Sequence, residues 1–381
     1  LSIDGHNHDE ISNAISLAKK NTKPTLIACK TKIGFGSPNK ESKSSSHGSP
    51  LGEDEIELTR KNLNWPHKSF EIPDQYLSDW RKFSNRNINI KKLWQKNNDD
   101  VTTSATFKNY FSKTLTEKVN IKIKDFKDKH FIEKTNCASR KASELSLEVF
   151  SSEINNLIGG SADLTGSNNT KTKNMNVISK NNFNGSYIYY GVREHGMAAI
   201  MNGLALHGGI RPYGGTFLVF ADYCRPSIRL AALMNLPVTY VMTHDSIGLG
   251  EDGPTHQPVE QLASLRAIPN LTVIRPCDII ETMEAWKYAL ESTNPVVLVL
   301  TRQNLPMLRT NSNINIVENG AYPIINYEQY SATILATGSE VEIACECSKM
   351  LSEKKINIRV LSIPSWEIFD KKSEYQKSKI L

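Results

Sequence analysis

The sequence predicts an α/β protein built on a doubly wound parallel sheet. Two observations carry that expectation. From Ser139 onward, short apolar runs alternate regularly with amphipathic helical stretches, the rhythm of βαβ units. The runs are also continuously apolar, as in Val296-Val-Leu-Val-Leu300, which suits strands buried on both faces. The length of 381 residues suits two or three domains. A hydrophobic content of 39% and a charged content of 23% describe an ordinary folded chain, neither disordered nor fibrous.

The elements follow in order. Residues 9–20 read as a helix with Ile11, Ala14, Ile15 and Ala18 on one side. Thr25–Cys29 reads as a strand buried in a parallel sheet. Residues 32–52 form a long polar loop rich in Gly and Pro, and Glu53-Asp-Glu55 opens a helix, acids favouring its N-terminus. Residues 81–134, dominated by Lys and Asn, read as a connector with one or two surface helices. Then come a helix 139–152, a strand 155–159, a loop from Gly159 to Thr170, a strand 187–190 and a helix 194–207. A strand 210–214, helix 222–234, strand 238–242 and loop 243–258 follow. Helix 259–266, strand 271–274, helix 278–290 and strand 296–300 complete this domain. After a polar stretch at 310–331 come a strand 332–336, a helix 339–353 and a strand 358–361. Two strands and one helix cannot cover both faces of a sheet, so this last domain reads as cut short.

Several function classes are excluded. The net charge of +6 is spread along the chain, without the clustered basic residues and aromatics that nucleic acid calls for. No apolar run reaches the roughly 20 residues of a membrane helix. Six cysteines without a CxxC pair read as free thiols of a reducing cytoplasm. Gly248-Leu-Gly-Glu-Asp-Gly253 matches GxGxxG, but Pro254 and Pro258 keep it from opening a helix, so it is not a dinucleotide fingerprint.

Candidate site residues lie where strands end. The loop after strand 238–242 carries His244, Asp245, Glu251, Asp252 and His256. Their spacing fits no common metal motif, which leaves polar substrate recognition as the better reading. Asp163 to Thr170, with Ser167, follows another strand and reads equally as a plain turn or as a cradle for a phosphate or sugar phosphate. Arg140 and Arg302 offer guanidinium forks to an anion, although each taken alone reads more readily as a surface salt bridge. Glu194 opens an apolar helix, either as a simple complement to the helix dipole or as a carboxyl facing an apolar pocket suited to proton transfer. Phe217, Phe220 and Tyr223 form either core or a stacking platform.

Taken together, Gly159-Gly-Ser-Ala-Asp-Leu-Thr165, Tyr190-Gly-Val-Arg-Glu194-His-Gly-Met197, Pro212-Tyr-Gly-Gly-Thr-Phe-Leu218, Thr243-His-Asp-Ser-Ile-Gly-Leu-Gly-Glu-Asp-Gly-Pro-Thr-His256 and Arg302-Gln-Asn-Leu-Pro306 resemble transketolase. Lys30-Thr-Lys-Ile-Gly-Phe-Gly-Ser37 and His47-Gly-Ser-Pro-Leu-Gly52 resemble the end of its diphosphate-binding domain. Ala336-Thr-Gly-Ser-Glu-Val-Glu342 and Pro364-Ser-Trp-Glu367 resemble its C-terminal domain.

The resemblance implies the thiamine diphosphate-binding fold. Residues 1–80 would be a remnant of the diphosphate domain and 81–134 a connector. Residues 135–310 would be the whole pyrimidine domain and 320–381 the start of the C-terminal domain. It implies transfer of a two-carbon ketol unit from a ketose phosphate to an aldose phosphate, as in the pentose phosphate and Calvin-type pathways, in the cytoplasm, by a homodimer with its active site at the subunit interface. Thiamine diphosphate and Mg²⁺ or Ca²⁺ would be the cofactors. Glu194 would bond the aminopyrimidine and help form its carbanion, with Phe217, Phe220 and Tyr223 around the ring. Arg140, Ser167, His244 and Arg302 would hold the substrate phosphate, Asp252 the donor C2 hydroxyl, His256 the reacting carbonyl, and His47 the cofactor and donor oxygens. His47 and Glu194 are expected to meet across the dimer. The family's Gly-Asp-Gly metal motif does not occur in these 381 residues, so no metal ligands are expected here and the chain alone is expected to be inactive. A dihydroxyacetone synthase-like enzyme and a non-catalytic phosphate-binding or dimerisation module are the alternatives.

Overall fold

A computed structural model describes residues 1–112, 114–312 and 315–381. Lys113 in the expected connector, and Asn313 and Ile314 in the expected polar stretch, lie outside the described residues. The chain forms two units, Leu1–Asp99 and Asp100–Leu381.

In the first unit, strand β1 (Ser2–Asp4) pairs in parallel with β2 (Ala28–Lys30), Ile3 opposite Cys29. Helix α1 (His8–Lys20) joins them, and Asn7 caps it by accepting from the amides of Asp9 and Glu10. The expected strand at 25–29 is therefore parallel but shifted and exposed; Leu26 is 83% accessible. Helix α1 packs against β1 and buries Ala14, but β2 stays exposed along its length. The polar loop folds around Glu55, near the start of α2 (Glu53–Asn62). The Glu55 carboxylate accepts from the Ser37 hydroxyl and from the backbone and side-chain N–H groups of Asn39, which hold its pKa down to about 2. Helices α3 (Asp74–Asn85) and α4 (Ile88–Thr103) follow.

The second unit begins in the last turn of α4 and continues with α5 (Ala105–Phe111) and α6 (Glu117–Ile132). The sequence suggests surface helices here, yet α6 enters the core. Val119, Ile123, Phe126 and Lys127 are buried, the lysine because its Nζ lies 2.6 Å from Glu284. Helix α7 (Ser139–Glu153) leads into β3 (Leu157–Ser161), the short α8 (Thr165–Asn168) and β4 (Tyr187–Tyr189). The expected 159–170 loop is thus partly strand and partly helix. Next come α9 (Glu194–His207), β5 (Arg211–Phe217), α10 (Ala221–Leu233), β6 (Thr239–Thr243), α11 (Gln261–Arg266), β7 (Thr272–Ile274), α12 (Ile279–Glu291) and β8 (Val296–Leu300). The six strands form one parallel sheet in the order β4-β3-β5-β6-β8-β7.

Both faces are covered, as the continuous apolar strands require. On one face α6, α7 and α12 bury Leu147, Phe150 and Trp286, the indole donating to Ser143 at 2.8 Å. On the other, α9 and α10 bury Met197, Met201 and Ile228. Gly159 is needed on β3, because a Cβ there would stand 1.9 Å from the Tyr213 ring.

The unit ends in a three-stranded sheet. Strand β11 (Ile358–Ser362) lies between β9 (Tyr322–Ile325), antiparallel, and β10 (Ala332–Ala336), parallel, with α13 (Glu340–Ser352) against them. Strand β9 falls in the stretch that reads as polar. Its role is lateral: the Tyr322 hydroxyl and Ser362 both donate to the buried Glu281 of α12. Among the described residues, no helix is long and apolar enough to cross a membrane.

Candidate active site at the carboxyl ends of the sheet

Strand β5 ends at Phe217, a single 3₁₀ turn carries Phe220, and α10 presents Tyr223 in its first turn. Phe217 and Phe220 are stacked, centroids 5.6 Å apart and planes at 17°. Phe220 and Tyr223 follow at 5.8 Å, and Tyr223 is 65% exposed. His256 stands edge-on to Phe220 at 5.3 Å and to Phe217 at 5.8 Å. These residues make a floor that fits an aromatic heterocycle: a stacked pair, an edge-on imidazole and an exposed phenol.

Strand β6 ends at Thr243, and His244 follows with φ of 60°, the left-handed region that a non-glycine residue occupies only when its surroundings hold it there. Its ring lies 3.8 Å from Phe217, and Nδ1 is 2.9 Å from the Thr243 hydroxyl, which accepts from Asn168 at 2.7 Å. Burial, followed by the positive charges of Arg140 and Arg302, pushes the His244 imidazole down to about 4. A depressed histidine is neutral when folded but binds a proton when unfolded. Stability should therefore fall as pH drops from 6.5 to about 4, and flatten below. Urea titrations across that window should show a slope that His244→Asn removes; an unchanged slope would refute the assignment.

Arg140 and Arg302 share one junction. Thr301 and Ser139 exchange bonds, the Thr301 amide donating to Ser139 Oγ at 2.7 Å and the Ser139 amide to Thr301 Oγ1 at 3.0 Å. The Arg140 fork donates to the Ser167 carbonyl at 2.6 Å. Burial and then Arg302 lower the Arg140 pKa, so two cations stand close together. Their negative neighbours are few: exposed Asp252, and exposed Glu251 at 3.5 Å from Arg302.

Glu194 opens α9 and is buried. It stands near α10, since burial and then the Glu194 charge raise the Cys224 thiol to about 12. The structure thus gathers Phe217, Phe220, Tyr223, His244 and His256, pairs Arg140 with Ser167, and sets Arg302 and Asp252 in the same field. His47 lies exposed in the first unit, its amide donating to Ser44. Asn168, Thr243 and Asp245 hold the site from beneath; Asp245 already stands among the loop candidates, whereas only position, in the loop after one strand and at the end of another, points to Asn168 and Thr243. Among the described residues, no group of three or more His, Cys, Asp or Glu side chains is placed to hold a metal ion.

Comparison with known proteins is consistent along the chain. Residues 1–120 match the transketolase thiamine diphosphate binding domain, 135–307 the transketolase pyrimidine binding domain and 320–381 the transketolase-like C-terminal domain. A transketolase of Cereibacter sphaeroides is 50% identical over 97% of this chain and 56% of its own length. One of Sinorhizobium medicae is 48% identical over 100% and 55%. A mutant transketolase of Pichia stipitis, in complex with fructose 6-phosphate, superposes with a TM-score of 0.89 at 38% identity, covering 100% of this chain and 58% of that one. The chain therefore spans little more than half the length of the relatives it matches. With three consecutive domains of one family in their order, this chain belongs to the transketolase family.

Proposed function

We propose that this chain contributes the pyrimidine-binding and sugar-phosphate-binding residues of a transketolase, which moves a two-carbon ketol unit from a ketose phosphate to an aldose phosphate. The observation that carries this reading is the placing of Arg140 and Arg302 at one Ser139–Thr301 junction, with His244 packed on the aromatic floor at the same sheet end. Two forks with few local counter-charges suit a phosphate dianion. Thiamine diphosphate, when bound, supplies the electron sink for breaking and remaking a carbon–carbon bond.

The chain's own residues bind and manage protons. Phe217, Phe220 and Tyr223 would hold the aminopyrimidine, and Glu194 would hydrogen-bond it and exchange a proton with it. Asp252 would accept from the donor's C2 hydroxyl. His256 and His47 would donate to developing oxyanions, and Ser167 would complete the phosphate site. Mg²⁺ or Ca²⁺ and the diphosphate would be held by the part of the relatives that this chain does not span, so that the 381 residues alone do not turn over. Exposed Ile200 and Leu206 on α9, with Leu230 and Leu233 on α10, support a second copy as partner. Six unpaired cysteines are compatible with the cytoplasm.

The test is thiamine diphosphate affinity in a protein that joins this chain to the part of the Cereibacter relative that it does not span. Phe220→Ala should weaken it by about 5- to 100-fold, the worth of one aromatic stacking contact. Unchanged affinity would remove Phe220 from the cofactor site.

A further inference from the structure

Arg275 follows β7 and is 4% exposed. All five of its guanidinium N–H groups are used. Nε donates to Asp245 Oδ2 at 2.7 Å, in the site loop beside His244. The other four go to one short segment of the C-terminal sheet domain: Nη1 to the Thr337 carbonyl at 2.9 Å and to Glu340, and Nη2 to Ser339 Oγ at 3.2 Å and Glu340 Oε1 at 3.1 Å. The backbone closes the same grip, the Gly338 amide donating to the Arg275 carbonyl at 3.1 Å.

Gly338 is required twice over. Its φ is +56°, and a Cβ would lie 2.8 Å from Arg275 Cγ and Nε. The sequence Thr337-Gly-Ser-Glu340 is thus a receptor shaped around one guanidinium. Asp245 is wholly buried and depends on that same guanidinium, because its Oδ1 has no hydrogen-bond partner. Two residues of the site loop, His244 and Asp245, are therefore fixed in succession, the first in a left-handed conformation and the second by a fork gripped from the C-terminal domain.

We propose that Arg275 is a positioning residue for the sugar-phosphate site: it makes the ordering of the 244–253 loop, and hence of His244, conditional on docking of Thr337–Glu340. This rests on the reading of His244, Arg140 and Arg302 as that site. The C-terminal domain then contributes to anion binding without touching the anion.

Hydrogen exchange on the 381-residue chain tests the coupling. Gly338→Ala and Glu340→Gln disturb the receptor while leaving the Arg275–Asp245 pair present. Both should speed amide exchange in 244–253 by about tenfold or more, with strands β6 and β8 unchanged. Phe150→Leu, a core change elsewhere, should not produce that local pattern. Affinity for ribose 5-phosphate, measured by calorimetry, should fall in the two receptor variants and hold in Phe150→Leu. Loop exchange unchanged in both receptor variants, or raised equally by Phe150→Leu, would overturn the proposal. If the loop responds but the wild-type chain binds no ribose 5-phosphate, the coupling stands and the sugar-phosphate reading falls.

Discussion

Replacing Arg140 or Arg302 with Ala should weaken ribose 5-phosphate binding by roughly 10- to 150-fold each, the worth of one charge-assisted contact of about 1.5–3 kcal/mol. The two forks come from different elements, the start of α7 and the end of β8, but the reciprocal Ser139–Thr301 bonds bind those elements together. Truncating either side chain leaves that junction intact, so the loss should appear in binding and not in folding. The carboxylates beside these guanidinium groups, Asp252 and Glu251, are exposed and screened by solvent. Burial and the Arg302 charge lower the Arg140 guanidinium's ease of protonation, and the neighbouring imidazole is held neutral. A phosphate dianion relieves this. Arg302→Lys should recover only part of the affinity, because an ammonium keeps the charge but not the planar fork. Binding by the wild type should weaken as salt rises from 0.05 to about 0.5 M. Calorimetry on the four proteins checks all of this; equal affinity across them would place the anion elsewhere.

The second large effect is on stability. Glu284→Ala should cost about 3–5 kcal/mol, the range for removing one partner from a buried charge cluster. Glu284 is fully buried on α12. Its carboxylate takes Lys127 of α6 at 2.6 Å, the fork of Arg309 at 3.1 and 3.3 Å, and the amides of Ile316 and Val317 at 2.9 and 3.1 Å. Arg309 also lies over the Tyr322 ring at 5.2 Å. One carboxylate therefore joins α6, α12 and the segment that leads to the C-terminal sheet. Without it, two cations lose a buried counter-charge and two amides lose their acceptor. Glu284→Gln should cost less, since it keeps the shape and the amide acceptor. Urea unfolding measures both; a loss below about 1 kcal/mol for Glu284→Ala would mean that water replaces the carboxylate.

These two clusters differ in how far the sequence announces them. The six-stranded sheet was legible because strands such as Val296–Leu300 are continuously apolar; helix Glu194–His207 and, in the smaller sheet, strand Ala332–Ala336 also fall where the pattern puts them. Helix α6 was not. Its buried Val119, Ile123 and Phe126 are diluted by lysines, and Lys127 reads as surface until Glu284, far along the chain, supplies its counter-charge. Strand β9 was missed because an antiparallel edge of four residues carries little pattern, and half its purpose is to deliver the Tyr322 hydroxyl to Glu281. In the candidate site, Phe217, His244, Asp245 and Arg302 stand out in their motifs. Arg275 is not distinguishable from an ordinary strand-end residue. Its meaning lies in a contact with Thr337–Glu340, some sixty residues further on.

Ketol transfer itself tests the account most directly. The protein to use is this chain joined to the parts of the Cereibacter relative that it does not span, supplied with thiamine diphosphate, Mg²⁺, a ketose phosphate and ribose 5-phosphate. The joined protein should carry out transfer, Glu194→Gln, which deletes a positioned acid–base group, should lower it by about 100-fold or more, and residues 1–381 alone should give none. Full transfer by the 381-residue chain alone, or by the joined Glu194→Gln variant, would contradict this.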